Sequence, residues 1–393
     1  MSTVIKLTFG NMDFDQNGYT ANWISSIKKN ELKAIDKLEL DSLWGSEDNF
    51  IWKASQVVGL PSFYPIYQYR DFFTTNPLPL ILMKGHLLVN KRFLAKYSPD
   101  GRYYSGSDTI DKEIVRVGAP MSPGFVIQSK EVFIARICEA ITEDIKKIES
   151  LHPSHNHVLL CGGKDSLNML LFPWSKPVVV ASAPPNYELV RNFIEENKIT
   201  CVKEMICLSD TSSRFEDMEI LANVCRNSLE HCRWINDLQL LAERYPRSVF
   251  WKGQLGDTFL TPSWKKYRHQ KVNFLDKLKP DHWKQKDFFN SLWLRGAMWQ
   301  GAHMSQLRLL TGKLFLSFYH GANMTSLLQQ VDLSSCVMAD IRTEIGNFAS
   351  GKEVVYPELN PSPGILKRTE GISSPERFLS LIESFVTIDQ IVD

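Results

Sequence analysis

The sequence lacks the features that mark several large classes of protein. No stretch approaches the ~20 apolar residues that a membrane-spanning helix needs. The nearest, Leu78 to Met83, is brief and interrupted by proline, so no membrane partner is expected. The opening residues, Met1 to Thr8, hold no apolar h-region, so a chain without a secretory signal, working in the cytoplasm, is expected. An excess of charge is also missing. Lys+Arg is 45 and Asp+Glu is 44, which argues against a nucleic-acid binder driven by bulk charge. One basic run, Lys265 to Lys271, reads as a solvated loop. None of the seven cysteines forms a C-x-x-C pair. Cys201 and Cys207, like Cys225 and Cys232, stand too far apart for a zinc knuckle. Inert thiols in a reducing compartment are the expectation. Neither a GxxxxGK[ST] loop nor a GxGxxG fingerprint occurs.

What is present suits a folded chain. The 44% hydrophobic and 23% charged content excludes wholesale disorder, and 22 Phe, 12 Tyr and 10 Trp supply a large core. A length of 393 residues suggests two or three domains at about 100–200 residues each. Residues 1–128 read as β-rich. Ile5–Phe9, Asn49–Lys53, Phe63–Tyr69, Leu80–Met83 and Phe125–Ile127 are strand candidates separated by Gly and Pro. The pattern changes at Ser129. From Lys130 to Ser150, Val132, Ile134, Ile137, Ile141, Ile145 and Ile148 recur at helical spacing. Strand candidates at His157–Cys161, Pro177–Ala181, Cys201–Cys207 and Ser248–Trp251 then alternate with helix candidates at Asn186–Asn197, Phe215–Leu229 and Trp234–Glu243. Such alternation predicts an α/β unit with an open parallel sheet. The remainder, from about residue 280, reads as mostly helical.

One segment carries chemistry: a short apolar strand, then Cys161-Gly162-Gly163-Lys164-Asp165-Ser166, then a helix. Two glycines let the backbone bend tightly and approach a ligand closely. N–H groups at the following helix start attract phosphate. Ser166 can donate a hydrogen bond to a phosphate oxygen, and Lys164 adds positive charge. Asp165 repels a bare phosphate but fits a Mg²⁺ ion shared with one. A second strand, Ser248–Trp251, leads into Lys252-Gly253-Gln254-Leu255-Gly256-Asp257. It puts Asp257 at a strand's carboxyl end, where open α/β sheets bind ligands. Asp165 and Asp257 together would grip one Mg²⁺ on ATP. Three histidines, His152, His155 and His157, precede the first loop and read as solvated side chains rather than a metal site.

The first loop resembles the SGGxDS loop of the ATP pyrophosphatase (PP-loop) superfamily, with Cys161 for the leading Ser. Ala181, on the next strand, falls where that superfamily's adenine pocket begins. The two loops together are similar to those of the asparagine synthetase family, whose second loop is GxGxDE. Here Gly253, Gly256 and Asp257 suit it, with one extra residue between the glycines and Thr258 for the acid. Phe315 to Gly321 resembles the family's PFLD-like turn without its Asp. Lys367-Arg368-Thr369-Glu370 resembles its RxKE segment, with Thr369 at the place of the family's lysine. Gly59 to Gln68 and Arg116 to Phe125 resemble stretches of the family's glutaminase domain. That domain needs a cysteine directly after the initiator Met, whereas this chain has Ser2 there and no cysteine before Cys138.

The resemblance implies a degenerate glutaminase-like (Ntn-like), β-rich α+β domain over 1–128. A PP-loop α/β synthetase domain with a helical C-terminal part follows over 129–393. The implied cofactors are ATP and Mg²⁺, the metal held by Asp165 and Asp257. Cys161, Gly162, Gly163, Lys164, Asp165, Ser166, Ala181, Gly253 and Gly256 would bind the nucleotide, and Lys367 or Arg368 would stand in for the lysine. The implied reaction is adenylation of a small-molecule or peptide carboxylate, then displacement of AMP by an amine, as in β-lactam synthetases and lasso-peptide cyclases. A partner protein delivering the substrate fits this picture. The alternatives are a 7-cyano-7-deazaguanine synthase-like enzyme, which forms a nitrile, and a nucleotide-binding scaffold without catalysis.

Overall fold

Short runs of apolar residues build the centre of this protein, seen in a computed structural model. The structure describes residues 4–6, 31–39, 44–45, 50–58, 66–95, 109–117, 124, 126–208, 235–262, 303–305, 307–308, 311–358, 375–383 and 386–392. It is a mixed α/β fold with parallel strand pairing.

Three strands near the amino end, β1 (Val4–Lys6), β2 (Glu31–Glu39) and β3 (Phe50–Val58), are followed by β4 (Ile66–Tyr69), β5 (Phe72–Thr74), β6 (His86–Asn90) and β7 (Val115–Val117). All but β6 form one sheet in the order β1-β2-β3-β5-β4-β7, in which only β2 and β3 pair parallel. The expected strand Leu80–Met83 is instead part of a helix, Pro77–Lys84. Its ends explain the difference. Asn76 Oδ1 accepts the Leu78 N–H, Pro77 occupies a first-turn position, and Gly85 closes the helix at φ +71. The helix is buried from Pro77 to Leu82, so its apolar run had no polar face to reveal the period.

The second sheet holds β8 (Asn156–Leu160), β9 (Val178–Ser182), β10 (Val202–Cys207), β11 (Ser248–Lys252) and β12 (Leu314–Ser317), in the order β10-β9-β8-β11-β12. All pairs are parallel. Strands β9 and β12 are buried at every position, as a sheet covered on both faces requires. From β8 the chain first builds outward through β9 and β10. It then returns to the other side of β8 for β11 and β12. The order therefore reverses between β8 and β11, the position at which ligands bind in open α/β sheets. Leu160 lies in register with both Lys252 and Ala181, so three strand tips end level there.

The described residues beyond 280 are helical at Ala322–Leu328, Leu333–Cys336, Arg342–Ser350 and Pro375–Glu383, as expected, but they also hold two strands that were not expected. They contribute β12 to the sheet and a final strand, β13 (Thr387–Val392), parallel to β6. Leu314 to Ser317 is another short apolar run of buried-strand type. The expected helix Phe215–Leu229 and the basic run at 265–271 lie outside the described residues.

Helix Lys130–Leu151 starts at Ser129, whose hydroxyl accepts the Val132 N–H. It buries Phe133, Ile134, Ile137, Ile141, Ile145 and Ile148, while Val132 is exposed. It packs against helices Ala322–Leu328 and Arg342–Ser350. Asp144 fixes the first contact. Its carboxylate accepts the N–H groups of Asn323 (2.9 Å) and Met324 (3.2 Å) and the Asn323 side-chain amide (3.0 Å). Burial pushes the Asp144 carboxyl up to about 6, against those donors. A side chain at Gly321 would collide with it, since an added Cβ would lie 2.0 Å from Oδ2. The β-rich region meets this unit through Arg308, buried, which donates to both Phe315 O and Trp44 O. Among the described residues, no helix is long and apolar enough to cross a membrane.

Asp144→Ala strands the N–H groups at the start of helix Ala322–Leu328. It is expected to cost on the order of 2–3 kcal/mol in urea unfolding. Unchanged stability would contradict the role given to this carboxylate.

Candidate nucleotide site

The loop after β8 is held from inside. Ser166 Oγ accepts the N–H groups of Gly162 (2.7 Å) and Gly163 (3.0 Å) and donates to Gly163 O (2.8 Å). The expected donation from Ser166 to a phosphate is therefore not available in this arrangement, because the hydroxyl proton is already placed. Cys161 sits buried below, its thiol donating to Ser166 O (3.5 Å) and raised out of its ordinary pKa range by burial. The helix that follows is only Lys164–Leu167, continued by a 3-10 turn over Asn168–Leu171. Pro173 ends it by forcing Phe172 into an extended conformation (ψ 156).

The loop after β11 packs directly on the first. A Cβ added at Gly253 would lie 2.5 Å from Cα and N of Ser166, and one at Gly256 would lie 2.5 Å from Asp165 Oδ1. Only glycine allows either approach. Between them Leu255 takes φ +75 and turns the chain into helix Gly256–Phe259. Asp257, in that helix, is exposed.

Asp165 is the electrostatic centre. Arg342 Nη1 donates to its Oδ1 at 2.8 Å. Arg342 is itself clamped by Asp340 through Nε (2.9 Å) and Nη2 (2.7 Å). Burial pushes the Asp165 carboxyl up to about 6; Arg342 opposes this, while Asp257 and Asp340 reinforce it. Asp257 thus stands close enough to be felt by Asp165. Lys164 Nζ donates to Thr343 Oγ1 (3.1 Å), lies 4.0 Å from Asp340 and sits 5.1 Å above the Tyr356 ring. Asn168 ties this layer together. Its amide donates to Arg342 O (3.0 Å), and its carbonyl accepts the Tyr356 hydroxyl.

Beside the loop lies a cleft of about 170 Å³, at the tips of β8, β9 and β11. Gly162, Ala181, Ser182, Asn186 and Lys252 are in its wall. Two residues of that wall carry polar atoms, Ser182 Oγ and Asn186 Oδ1, that are buried with no hydrogen-bond partner among the described residues, and the same holds for Gln254 Oε1 in the second loop. Buried polar atoms are rarely left so, and a ligand's donors or ordered water would satisfy them. Lys252 Nζ meets the buried His303 Nε2 at 2.7 Å.

Of the residues expected from sequence, Cys161, Gly162, Gly163, Lys164, Asp165, Ser166, Ala181, Gly253 and Gly256 gather around this loop and cleft. Asp257 stands at its edge. Lys367 and Arg368 lie outside the described residues. Among the described residues, no group of three or more His, Cys, Asp or Glu could hold a metal. His157 is not solvated. Burial lowers it to about 4, and it accepts the Trp251 indole N–H at 3.0 Å. Sequence reading missed Arg342, Asp340, Ser182, Asn186 and Lys252. An acid two residues before an arginine at a helix start was the one signal for the first pair. No protein-family model and no curated protein matches this chain.

Gly253→Ala drives a methyl group into the Ser166 backbone. It is expected to cost about 1–3 kcal/mol, read as a lowered Tm, whereas an equally stable variant would show that the two loops do not press together.

Proposed function

We propose that this protein is an ATP-dependent carbon–nitrogen ligase that activates a carboxylate as its acyl-adenylate. The observation that carries the reading is the pair of glycine loops packed together at the strand-order reversal, beside a cleft with unsatisfied buried polar atoms. In this reading the nucleoside enters the cleft, where Asn186 Oδ1 accepts from a base amino group and Ser182 bonds a base or ribose atom. The triphosphate then lies along residues 162–166, with Lys164 adding charge. For the phosphate to reach the Gly162 and Gly163 N–H groups it must displace Ser166 Oγ, which then becomes a donor to it.

The donor set fits a divalent cation only in its carboxylates. Mg²⁺ held by Asp165 and Asp257 would neutralise charge on the triphosphate. The chain's own part is positioning. The substrate carboxylate oxygen bonds to the α-phosphorus, the bond to the β-phosphate oxygen breaks, and pyrophosphate leaves with the electron pair. An amine nitrogen then bonds to the acyl carbon, the bond from that carbon to the AMP oxygen breaks, AMP leaves with its electron pair, and the amine's proton passes to solvent.

The finer architecture belongs to the same proposal: a degenerate glutaminase-like domain over 1–128 and a PP-loop synthetase domain over 129–393, in the cytoplasm. The segment before the boundary is tied to the later one, since Ile127 bridges Val331 and accepts the Asp332 N–H (2.8 Å). The substrate is a small-molecule or peptide carboxylate, delivered by diffusion or by a partner protein. A second reading, a nucleotide-binding scaffold, is favoured by one observation: Ser166 and Arg342 already satisfy the loop's N–H groups and Asp165.

Purified protein with Mg·ATP and a panel of carboxylates is expected to release AMP and pyrophosphate, and Asp165→Ala to lose at least ~100-fold in rate. ATP binding without product would favour the scaffold, and no ATP binding would sink both readings. The position of the Asp165 carboxyl adds a pH test. Above about 6 it is ionised and available to a cation, and below that it is protonated. Mg·ATP affinity should therefore fall as the pH drops through 6. Asp165→Asn, weak throughout, should flatten the profile; an unchanged profile in the variant would contradict the assignment.

A further inference from the structure

Arg342 is placed as more than a structural partner of Asp165. Three of its five side-chain N–H groups are used, two on Asp340 and one on Asp165. The other two have no acceptor among the described residues, and the side chain is 20% exposed. The Asp340 contact is a two-point clamp that fixes the plane of the guanidinium. The Asp165 contact is a single bond. A guanidinium held this way keeps its orientation if the Asp165 bond is given up. It would then present three donors beside the loop.

The charges point the same way. Asp165, Asp340 and the nearby Asp257 face Arg342 and Lys164, so acids outnumber cations as the cluster stands, and a divalent cation reverses that balance. Once a cation occupies Asp165, the cluster carries surplus positive charge next to the loop. The neighbouring cleft, with its buried and unpartnered Ser182 Oγ, independently marks a place for a ligand.

We propose that Arg342 recognises the terminal phosphates of the nucleotide. Asp340 is its positioning residue, and Asp165 is the partner it holds while the phosphates are away. The inference rests on the nucleotide reading above and adds to it the cation that meets the leaving pyrophosphate. Arginine suits the task because its fork engages two phosphate oxygens at once.

The test is calorimetric titration of wild type and Arg342→Gln with Mg·ATP and, separately, with adenosine. Losing a charged hydrogen-bond donor should weaken Mg·ATP roughly ten- to hundredfold and leave adenosine unchanged. Arg342→Lys should recover part of the loss. Equal Mg·ATP affinity in wild type and Arg342→Gln, or equal losses for Mg·ATP and adenosine, would overturn the proposal. Wild type binding neither ligand would instead overturn the nucleotide reading and this one with it. Should Arg342→Gln fail to fold because Asp165 is left unpaired, the same titrations compare Asp165→Asn with Asp165→Asn/Arg342→Gln. A further loss of Mg·ATP but not adenosine supports the role, and equality overturns it.

Discussion

Everything at the candidate site depends on the contact between two loops, the second of which has no side chain where they touch. Gly253 lies against the Ser166 backbone and Gly256 against the Asp165 carboxylate, each closer than any Cβ tolerates. The loops leave adjacent parallel strands whose tips end level, with Leu160 opposite Lys252. The sheet fixes that level, and the glycines allow the closure. Together they put Asp165, the Gly162–Gly163 bend and the cleft within one small volume.

Closure has an electrostatic consequence. Asp165 is half-buried beside other acids, and its partial burial favours the neutral form. Arg342 compensates, and Asp340 holds Arg342 in turn. These partners arrive from a distant part of the chain, on the helix starting at Arg342. That helix packs on helix Lys130–Leu151, which Asp144 also staples to the start of helix Ala322–Leu328. Helix Arg342–Ser350 also packs on the turn Asn168–Leu171 that continues the first loop, where Asn168 donates to Arg342 O, and this places the guanidinium beside the loop. The loop's internal hydrogen bonds complete a resting state in which the Gly162 and Gly163 N–H groups already have an acceptor, and a phosphate would reach them by exchange rather than in open space.

The sequence made the parallel sheet legible because its strands are short apolar runs ended by glycine, proline or charge. Asp165 and the flanking glycines were legible for the same reason: a polar, glycine-rich bend between a buried strand and a helix has few other uses. Arg342 was not, because its meaning comes from a partner nearly half the chain away. Ser182 follows the expected strand Pro177–Ala181 and Asn186 opens an expected helix; only polar atoms buried without partners among the described residues mark them. Helix Pro77–Lys84 misled because an all-apolar segment shows no period, and its Asn76 and Gly85 caps were the clue. β12 was hidden in the same way, inside a region whose apolar residues also fit helical spacing. His157 precedes a polar bend in sequence, yet its strand carries it into the core beside Trp174 and Trp251.

The most direct measurement is a crystal structure of the protein soaked with Mg²⁺ and a non-hydrolysable ATP analogue. The account predicts the base in the cleft against Ser182 and Asn186, and the triphosphate along residues 162–166 with Ser166 Oγ turned toward it. An analogue bound elsewhere, or a cleft left empty with the Ser166 and Arg342 contacts intact at saturating analogue, would contradict it.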